Sequence, residues 1–374
     1  MIRMMMSRAT HVRLAALAAV LLYPGCKTAA GPADPTDIGA WMEFHQVPGV
    51  SVAVIRDFQV DYVEVHGVKS RTTQEPVTEQ TLFQAASLSK SVSSMGVLSL
   101  AQDGTVSLDS DVNDYLTSWQ VPDNALQDSE KVTLRRLLSH TAGTTVRGFR
   151  GYRYSESVPT IVQILNGEPP ANSPPIVVDL VPGTEFRYSG GGYVIADQVV
   201  RDVTEFTFPE FMEERVLQPI GMDHSTYEQP LPDSLLDAAA SGYYATGVAV
   251  PGGHHIYPEG AAAALWTTPR DLAQFLIELQ LSLRGGSNKV LSRENAELLV
   301  TEVKSDYALG LGLWTERGQP YFGHDGANDG FRCKMVAHRT DGYGVVILTN
   351  SDRGSDLYPD LVRVIGQREG WPGY

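Results

Sequence analysis

The sequence predicts an α+β fold in which one antiparallel β-sheet is built from both ends of the chain. Runs rich in β-branched residues lie near the two ends, whereas the middle of the chain carries apolar residues at helical spacing. Strands at both ends with helices between them are typical of a sheet flanked by helices. The predicted strands are residues 49–56, 60–66, 307–314, 330–338 and 343–349, and the predicted helices are residues 87–102, 132–139, 193–203, 208–217, 268–283 and 357–367.

The first two strands are expected to form a hairpin. Residues 49–56 are almost entirely apolar, and residues 60–66 alternate apolar and polar side chains. Because only a short segment separates the two runs, antiparallel pairing follows.

Two helices have clear start or end signals. Residues 87–102 carry apolar side chains at helical spacing, and the Asp-Gly pair that follows is a typical helix end. Thr268 is followed by Pro269 and then by Asp271, which is the pattern of an N-cap, a first-turn proline and an acidic third residue. This second helix therefore begins after Thr268.

The composition is that of an ordinary globular protein. The chain has 374 residues, of which 43% are hydrophobic and 20% are charged, so it is long enough to bury a large core without a disulfide scaffold. Lys and Arg number 29 and Asp and Glu number 44, which gives a formal net charge of −15. This acidic balance argues against nucleic acid as a partner, because a phosphate backbone requires clustered Lys and Arg.

The N-terminus predicts an export signal. Residues 1–13 contain three Arg and no acidic residue, and residues 14–22 are an unbroken run of Leu, Ala and Val, which is the pattern of a secretory signal peptide. The run is shorter than the about 20 apolar residues that span a bilayer. Two alternatives remain: Gly25-Cys26 resembles a lipoprotein cleavage box, and ordinary cleavage near Ala29-Ala30 is the rival.

The predicted organisation is a signal peptide at residues 1–26, a tether at 27–37 and a folded domain at 38–374. We expect an exported protein, either periplasmic or tethered to the membrane by a lipid on Cys26. The other cysteine, Cys333, lies in an apolar stretch and is expected to be a buried small hydrophobic residue rather than a nucleophile.

Ser87 and Lys90 are the first candidate catalytic pair. They are three positions apart on a predicted helix, so their side chains face the same side. A serine hydroxyl becomes nucleophilic when a base removes its proton, and a lysine is such a base when burial lowers its pKa. The Ser-x-x-Lys spacing arises roughly once by chance in a chain of this length, so the pair alone also fits a solvated helix surface.

Two further segments place polar side chains beside glycines. Tyr188 follows a Pro-Gly turn and precedes a glycine-rich helix start. A phenol there can relay protons, although a core tyrosine beside a flexible loop explains the same pattern. His324 lies in a glycine-spaced strand at residues 323–330, and glycine in a strand often marks a close approach. A lone histidine is more often structural, so the spacing leaves both roles open.

Together the segments resemble the motifs of the serine β-lactamase and penicillin-binding-protein superfamily. In chain order they are Ser87-x-x-Lys90, Tyr188-Ser189-Gly190 and His324-Asp325-Gly326. The class C-like branch, which includes class C β-lactamases, D-Ala-D-Ala carboxypeptidases, D-aminopeptidases and family VIII esterases, is the most similar. Other segments that resemble this branch are residues 137–143, 219–226, 265–272 and 307–312.

The resemblance covers about residues 40–365. It implies a β-lactamase/transpeptidase-like fold, with an α/β part at about 38–80 and 285–374 and a mainly helical insert at about 81–284.

The resemblance also implies a role for each candidate residue. Ser87 would be the acylated nucleophile. Lys90 would accept its proton, or would hold Tyr188 ionised so that the phenolate does, and Tyr188 would pass a proton to the leaving group. The oxyanion hole would be the backbone N–H groups of Ser87 and Ala327, donors typically worth about 3–4 kcal/mol each. The substrate-binding residues would be Gly190, His324, Asp325 and Gly326.

Two positions depart from the family pattern. Gly190 stands where the family usually has Asn, whose carboxamide contacts the substrate amide and the lysine, and His324 stands where β-lactamases usually have Lys. A histidine offers only a conditional charge near neutral pH. Recognition of amides, β-lactams and carboxylates is therefore weakened, and a simple acyl ester would be affected least.

The sequence thus predicts an exported serine hydrolase that acts through an acyl-enzyme on Ser87. An esterase-like or D-peptidase-like activity on a small acyl ester or a D-amino-acid peptide is expected. Two alternatives stay open: a β-lactamase, and a catalytically weak protein that binds peptidoglycan fragments. No cofactor or metal is expected, because the His254-His255 pair lacks a third ligand at useful spacing and residues 109–114 lack the features of a calcium loop.

Overall fold

The computed structural model describes residues 31–374. The predicted signal peptide, the Cys26 lipidation site and residues 27–30 of the predicted tether lie outside the described residues. Within residues 31–374, no helix is both long enough and apolar enough to cross a bilayer.

The described chain contains one six-stranded sheet, a two-stranded sheet and eleven α-helices. The strands are β1 (Gly49–Arg56), β2 (Gln59–Gly67), β3 (Phe83–Gln84), β4 (Trp266–Thr267), β5 (Gly312–Glu316), β6 (Gln319–Asn328), β7 (Phe331–His338) and β8 (Gly344–Thr349). The helices are α1 (Ile38–His45), α2 (Leu88–Gln102), α3 (Leu134–Leu138), α4 (Ile161–Asn166), α5 (Gly190–Thr204), α6 (Phe208–Met212), α7 (Gln218–Ile220), α8 (Gly260–Ala263), α9 (Pro269–Leu283), α10 (Arg293–Leu298) and α11 (Gly354–Arg368).

The large sheet joins the two ends of the chain, which confirms the predicted fold class. Its strand order is β2-β1-β8-β7-β6-β5, and every neighbouring pair is antiparallel. The N-terminal hairpin therefore pairs directly with the last strand. Asp57 and Phe58 form the turn of that hairpin with φ angles of 52° and 61°, the left-handed conformation that a two-residue hairpin turn requires.

Alternate residues of β1 point into two different cores. Val50, Val52 and Val54 pack with apolar side chains of α1 and α11, whereas Ala53 and Ile55 belong to the larger core that includes α2 and α9. Because helices cover both faces, β1 and β8 are nearly continuous apolar runs instead of alternating ones. The catalytic candidates of α2 thus lie on the face of the sheet that carries the larger core.

Thr268 caps α9 as predicted. Its side chain accepts a hydrogen bond from the Asp271 N–H at 3.2 Å, and Pro269 occupies the first helical position. The helix ends at Leu283, as the sequence indicates.

The predicted strand at residues 307–314 is wrong in its first half. The strand begins only at Gly312, because the preceding residues turn toward α2. Gly310 has a φ of 85°, and a Cβ added there would lie 2.4 Å from the Ser94 hydroxyl. The Gly310 carbonyl accepts a hydrogen bond from the Ser91 hydroxyl at 2.5 Å. This close packing on α2 replaces strand pairing.

Leu276 provides a test of the larger core. The residue is fully buried on α9, so Leu276→Ala is expected to lower the free energy of unfolding by about 2–5 kcal/mol, through lost burial and the cavity left behind. Leu236→Ala is the matched control, because Leu236 is 37% exposed, and a change below about 1 kcal/mol is expected there. Urea unfolding measures both, and equal losses would contradict the assignment of this core.

Candidate active site

Ser87 lies at the N-cap of α2, at a bend that neighbouring segments hold in place. The pairing of β3 with β4 fixes the chain before it, and the Ala85 N–H donates to the Leu265 carbonyl at 2.8 Å. Ala86 has a φ of 51°, a left-handed conformation that costs a non-glycine residue about 1–3 kcal/mol. The residue just before the candidate nucleophile is therefore held in an unfavourable conformation by its surroundings.

Strand β6 passes directly against this bend. A Cβ added to Gly326 would lie 2.3 Å from the Ala85 carbonyl oxygen, so only glycine allows this approach. Cys333 on β7 donates its thiol to the Gln84 carbonyl at 3.2 Å, and burial raises the pKa of that thiol to about 12. Cys333 is thus a buried structural residue, as expected, and the segment around His324 lies beside Ser87.

Lys90 is in hydrogen-bond contact with Ser87. Its Nζ lies 3.1 Å from Ser87 Oγ and donates to the Ala262 carbonyl at 2.7 Å. The side chain is buried, and this burial lowers the pKa of Lys90 to about 7, while the nearby Glu259 acts in the opposite direction. A large share of the amine is therefore neutral near pH 7 and able to accept a proton.

Tyr188 packs beside this pair among cations and a buried histidine. The Lys90 Nζ lies 5.2 Å and the Arg147 guanidinium carbon 5.5 Å from the centroid of the Tyr188 ring. Burial raises the pKa of Tyr188 to about 12, opposed by Ser87 and Arg147. The phenol therefore stays protonated near neutral pH, which disfavours the expectation that Lys90 holds it ionised.

The His140 ring packs against the Tyr188 ring, a contact that the sequence did not predict. The two ring centroids are 4.1 Å apart, and His140 Nδ1 accepts a hydrogen bond from the Ser189 N–H at 3.1 Å. Burial and the nearby Lys90 hold the pKa of His140 well below its usual range. The imidazole is consequently neutral and acts as a packing and hydrogen-bonding group.

His324 is also buried and neutral. Burial, with Lys90 second, lowers its pKa to about 4, and its Nδ1 lies 2.6 Å from the Asp325 carbonyl oxygen. The Asp325 carboxylate points away to Lys334, whose Nζ is 2.5 Å from it. The conditional charge expected of His324 is therefore absent near neutral pH.

The glycines at 190–192 form the first turn of α5, whereas the sequence placed the start of this helix at residue 193. Ser189 is the N-cap, and its hydroxyl accepts a hydrogen bond from the Gly192 N–H at 3.0 Å. A Cβ added to Gly190 would lie 2.9 Å from the Phe149 ring. Phe149 thus occupies the space into which a side chain at position 190 would project.

One cavity of about 420 Å³ brings most of the predicted site residues together. Its lining contains the candidate nucleophile, the candidate relay tyrosine and the strand β6 residues, together with two arginines and part of α11. The lining residues are Ser87, Arg147, Gly148, Tyr188, His324, Asp325, Gly326, Ala327, Arg332, Ser355 and Tyr358. Lys90 lies behind Ser87, and Gly190 is buried behind Phe149.

Glu259 is a second residue that sequence analysis missed. It is fully buried at the N-terminus of α8, and neither of its carboxylate oxygens has a hydrogen-bond partner in the described part of the chain. Burial and the nearby Asp197 raise the pKa of Glu259 to about 8, while Lys90 lowers it. Asp197 itself is paired with Arg201 at 2.5 Å. Glu259 is therefore largely protonated near pH 7, and it raises the pKa of Lys90 through the fraction that is ionised.

The residues considered as metal ligands have structural contacts. His254 Nε2 is 2.8 Å from the Tyr154 hydroxyl, and the His254 ring packs on Trp266. Asp109 is paired with Arg135 at 2.7 Å. Within residues 31–374 there is no group of three or more His, Cys, Asp or Glu placed to hold a metal ion.

The fold and the serine–lysine contact are of the serine-hydrolase type found in β-lactamases and penicillin-binding proteins. The chain belongs to the Beta-lactamase family, whose sequence model matches residues 37–367. Penicillin-binding protein 4 of Amycolatopsis lactamdurans is 26% identical over an alignment of 369 residues that covers 90% of this chain and 91% of that protein.

Two further comparisons agree with this family. Protein flp of Staphylococcus aureus (strain MRSA252) is 23% identical over an alignment of 321 residues that covers 84% of this chain, and the match spans only 62% of that relative's length. The structure of D-amino acid amidase from Ochrobactrum anthropi SV3, complexed with L-phenylalanine, aligns with a TM-score of 0.72 and 21% identity over 90% of this chain and 98% of that chain. This structural likeness shows a shared fold.

Glu259→Gln tests the electrostatic coupling to Lys90. If Lys90 must be neutral to accept a proton, kcat/KM rises as the pH increases through about 7. Since the pKa of Glu259 is about 8, a growing fraction of its carboxyl is ionised as the pH rises above about 7, and that charge raises the pKa of Lys90 and extends the limb toward higher pH. Glu259→Gln is therefore expected to narrow the acidic limb and to move its upper part to lower pH. Rates of 4-nitrophenyl acetate hydrolysis across the limb measure the shift.

The matched control is Glu278→Gln. Glu278 is another buried carboxylate, but it accepts hydrogen bonds from Ser282 and Ser287 on and beside α9. The acidic limb of the pH profile of Glu278→Gln is expected to coincide with that of the unmodified protein. A Glu259→Gln variant that loses thermal stability but keeps the same limb would contradict the coupling.

Proposed function

We propose that the protein is a serine hydrolase that forms an acyl-enzyme on Ser87 with small acyl esters or D-amino-acid peptides. The observation that carries this proposal is the 3.1 Å contact between Ser87 Oγ and the buried Lys90 amine, whose pKa is lowered to about 7. A base with a pKa near the working pH combines the right protonation state with effective proton transfer.

In the proposed reaction, Ser87 is the nucleophile and Lys90 and Tyr188 transfer the protons. Ser87 Oγ attacks the acyl carbonyl while its proton passes to Lys90. The oxyanion then accepts hydrogen bonds from the backbone N–H groups of Ser87 and Ala327, which both border the cavity. Tyr188, protonated near neutral pH, delivers a proton to the leaving group and recovers a proton from the Lys90 ammonium. In the second half-reaction Lys90 takes a proton from water, the hydroxide attacks the acyl carbon, and Tyr188 returns a proton to Ser87 Oγ as the acid leaves.

Simple esters are the substrates that the geometry of the site disfavours least, because the features that count against β-lactams also count against amides. Phe149 fills the space beside Gly190, so no carboxamide at that position can contact a substrate amide. His324 is neutral near pH 7 because its pKa is lowered to about 4, and its single N–H is directed to the Asp325 carbonyl, so it offers a carboxylate neither a charge nor a donated hydrogen bond. The relatives named penicillin-binding protein 4 and D-amino acid amidase support the D-peptide branch of the proposal.

Export remains part of the proposal. The basic and apolar pattern of residues 1–22 and the Gly25-Cys26 pair support secretion with either a free periplasmic or a lipid-anchored product. Expression of the full chain and of Cys26→Ser, followed by separation of membrane and soluble fractions, tests the anchor. Membrane recovery that is unaffected by Cys26→Ser would contradict a lipid on Cys26.

Acylation of Ser87 is the direct test of the proposed function. The protein is mixed with 4-nitrophenyl butyrate, a D-Ala-D-Ala peptide and the cephalosporin nitrocefin, and intact mass and product release are followed together. We expect a transient acyl adduct with rapid ester or peptide turnover and slow nitrocefin hydrolysis. Ser87→Ala is expected to abolish the adduct while circular dichroism stays unchanged, and an adduct retained in that variant would contradict the assignment.

Tyr188→Phe tests the proton relay. Removal of the hydroxyl is expected to lower kcat by about 10²–10⁴-fold, because this is the usual contribution of a general acid–base group. Tyr115→Phe is the control, since the Tyr115 hydroxyl accepts a hydrogen bond from the Ser107 N–H and Tyr115 does not line the cavity. Near-normal kcat in Tyr188→Phe would assign the relay to another group.

A further inference from the structure

One cationic side chain at the reaction centre has no part in the proposed chemistry. Arg147 borders the same cavity as Ser87, and its guanidinium lies over the Tyr188 ring. We propose that Arg147 binds a carboxylate carried by the substrate, so that the enzyme prefers anionic acyl substrates to neutral ones. This inference deepens the hydrolase function proposed above and rests on it.

The backbone of the Arg147 segment is fixed to the start of α5. The Gly190 N–H donates to the Arg147 carbonyl at 3.1 Å, and the Gly191 N–H donates to the Val146 carbonyl at 3.0 Å. The Ser189 hydroxyl donates to the Thr145 carbonyl at 2.6 Å. These three contacts involve the residues directly after Tyr188, so the position of Arg147 is tied to that of the candidate relay tyrosine.

The missing side chain at Gly190 allows this arrangement. A Cβ there would lie 2.9 Å from the Phe149 ring and 3.2 Å from the Arg147 carbonyl oxygen. With glycine, the segment that carries Phe149 and Arg147 can pack directly on the helix start. The absence of a side chain at position 190 thus allows this segment to place the Arg147 guanidinium at the cavity.

Arg147 is the charged residue lining this cavity that has no ion-pair partner within residues 31–374. Asp325 is paired with Lys334 at 2.5 Å, and Arg332 is paired with Asp352 at 2.9 Å. The exposed Arg147 side chain forms neither an ion pair nor a hydrogen bond within the described residues. An anion entering the cavity therefore meets one free guanidinium.

A carboxylate fits this group better than it fits the other candidates. A guanidinium presents paired N–H donors that match the two oxygens of a carboxylate. His324 is neutral near pH 7 and cannot supply the charge. On a chain with a net charge of −15, an unpaired cation at the cavity also attracts an anion against the overall repulsion.

Two esters of matched length test the proposal. Mono-4-nitrophenyl adipate carries a free carboxylate at the end of its acyl chain, and its methyl ester is the neutral counterpart. Rates are corrected with Ser87→Ala. We expect kcat/KM of the unmodified protein to favour the acid by roughly 10- to 100-fold, as for a charge-assisted hydrogen bond. Higher ionic strength should reduce this ratio.

The ratio, and not the rate alone, reports on Arg147. Arg147→Gln is expected to bring the acid-to-ester ratio close to one, and Arg147→Lys to retain part of it. Arg150→Gln is the matched control, because Arg150 is an exposed arginine in the same segment that borders a different cavity, and its ratio should equal that of the unmodified protein.

Two results would overturn the inference in distinguishable ways. A ratio near one in the unmodified protein, or an unchanged ratio in Arg147→Gln, removes the role of Arg147 while Ser87-dependent turnover keeps the hydrolase proposal. Failure of both esters and of the butyrate, peptide and nitrocefin probes to form an adduct on Ser87 removes the hydrolase proposal and this inference with it.

Discussion

The burial of one amine sets the conditions for the whole site. Lys90 is enclosed by α2, α8 and Tyr188, and its pKa is lowered from 10.5 to about 7. Such a shift corresponds to roughly 5 kcal/mol of preference for the neutral form. Because the folded-state pKa lies below the unfolded-state value, this penalty is absent above pH 10.5, grows as the pH falls, and is fully present below about pH 7. The two cores flanking the sheet stabilise a fold that carries this cost.

Close backbone approaches complete the site around that amine. Gly326 brings β6 against the bend at Ala85, and Gly190 brings the segment of Phe149 against α5. Each contact joins parts of the chain that are distant in sequence, and in each a side chain is excluded by the neighbour's atoms. The geometry of the cavity therefore depends on the absence of side chains at positions 190 and 326 as much as on the polar groups that line it.

The sequence predicted the elements whose signals are local. The strands at both ends, the helix after Ser87 and the Thr268 cap were found because periodicity and capping do not depend on distant contacts. The turn at residues 307–311 was missed because its packing on α2 overrides its β-propensity. Arg147 and Glu259 were missed because their roles depend on burial and charge pairing. A lone acid before the alanine run at 261–264 was the available signal for Glu259.

The contact between Phe149 and Gly190 also constrains how this protein can change over evolutionary time. An asparagine at position 190 requires room that the aromatic ring already occupies, so the replacement is accepted only after either the ring or the 145–149 segment has changed. Movement of that segment in turn breaks the hydrogen bonds from Gly190 and Gly191. The residues at positions 149 and 190 are therefore coupled, because a side chain at position 190 requires either a smaller residue at position 149 or a different path for the 145–149 segment.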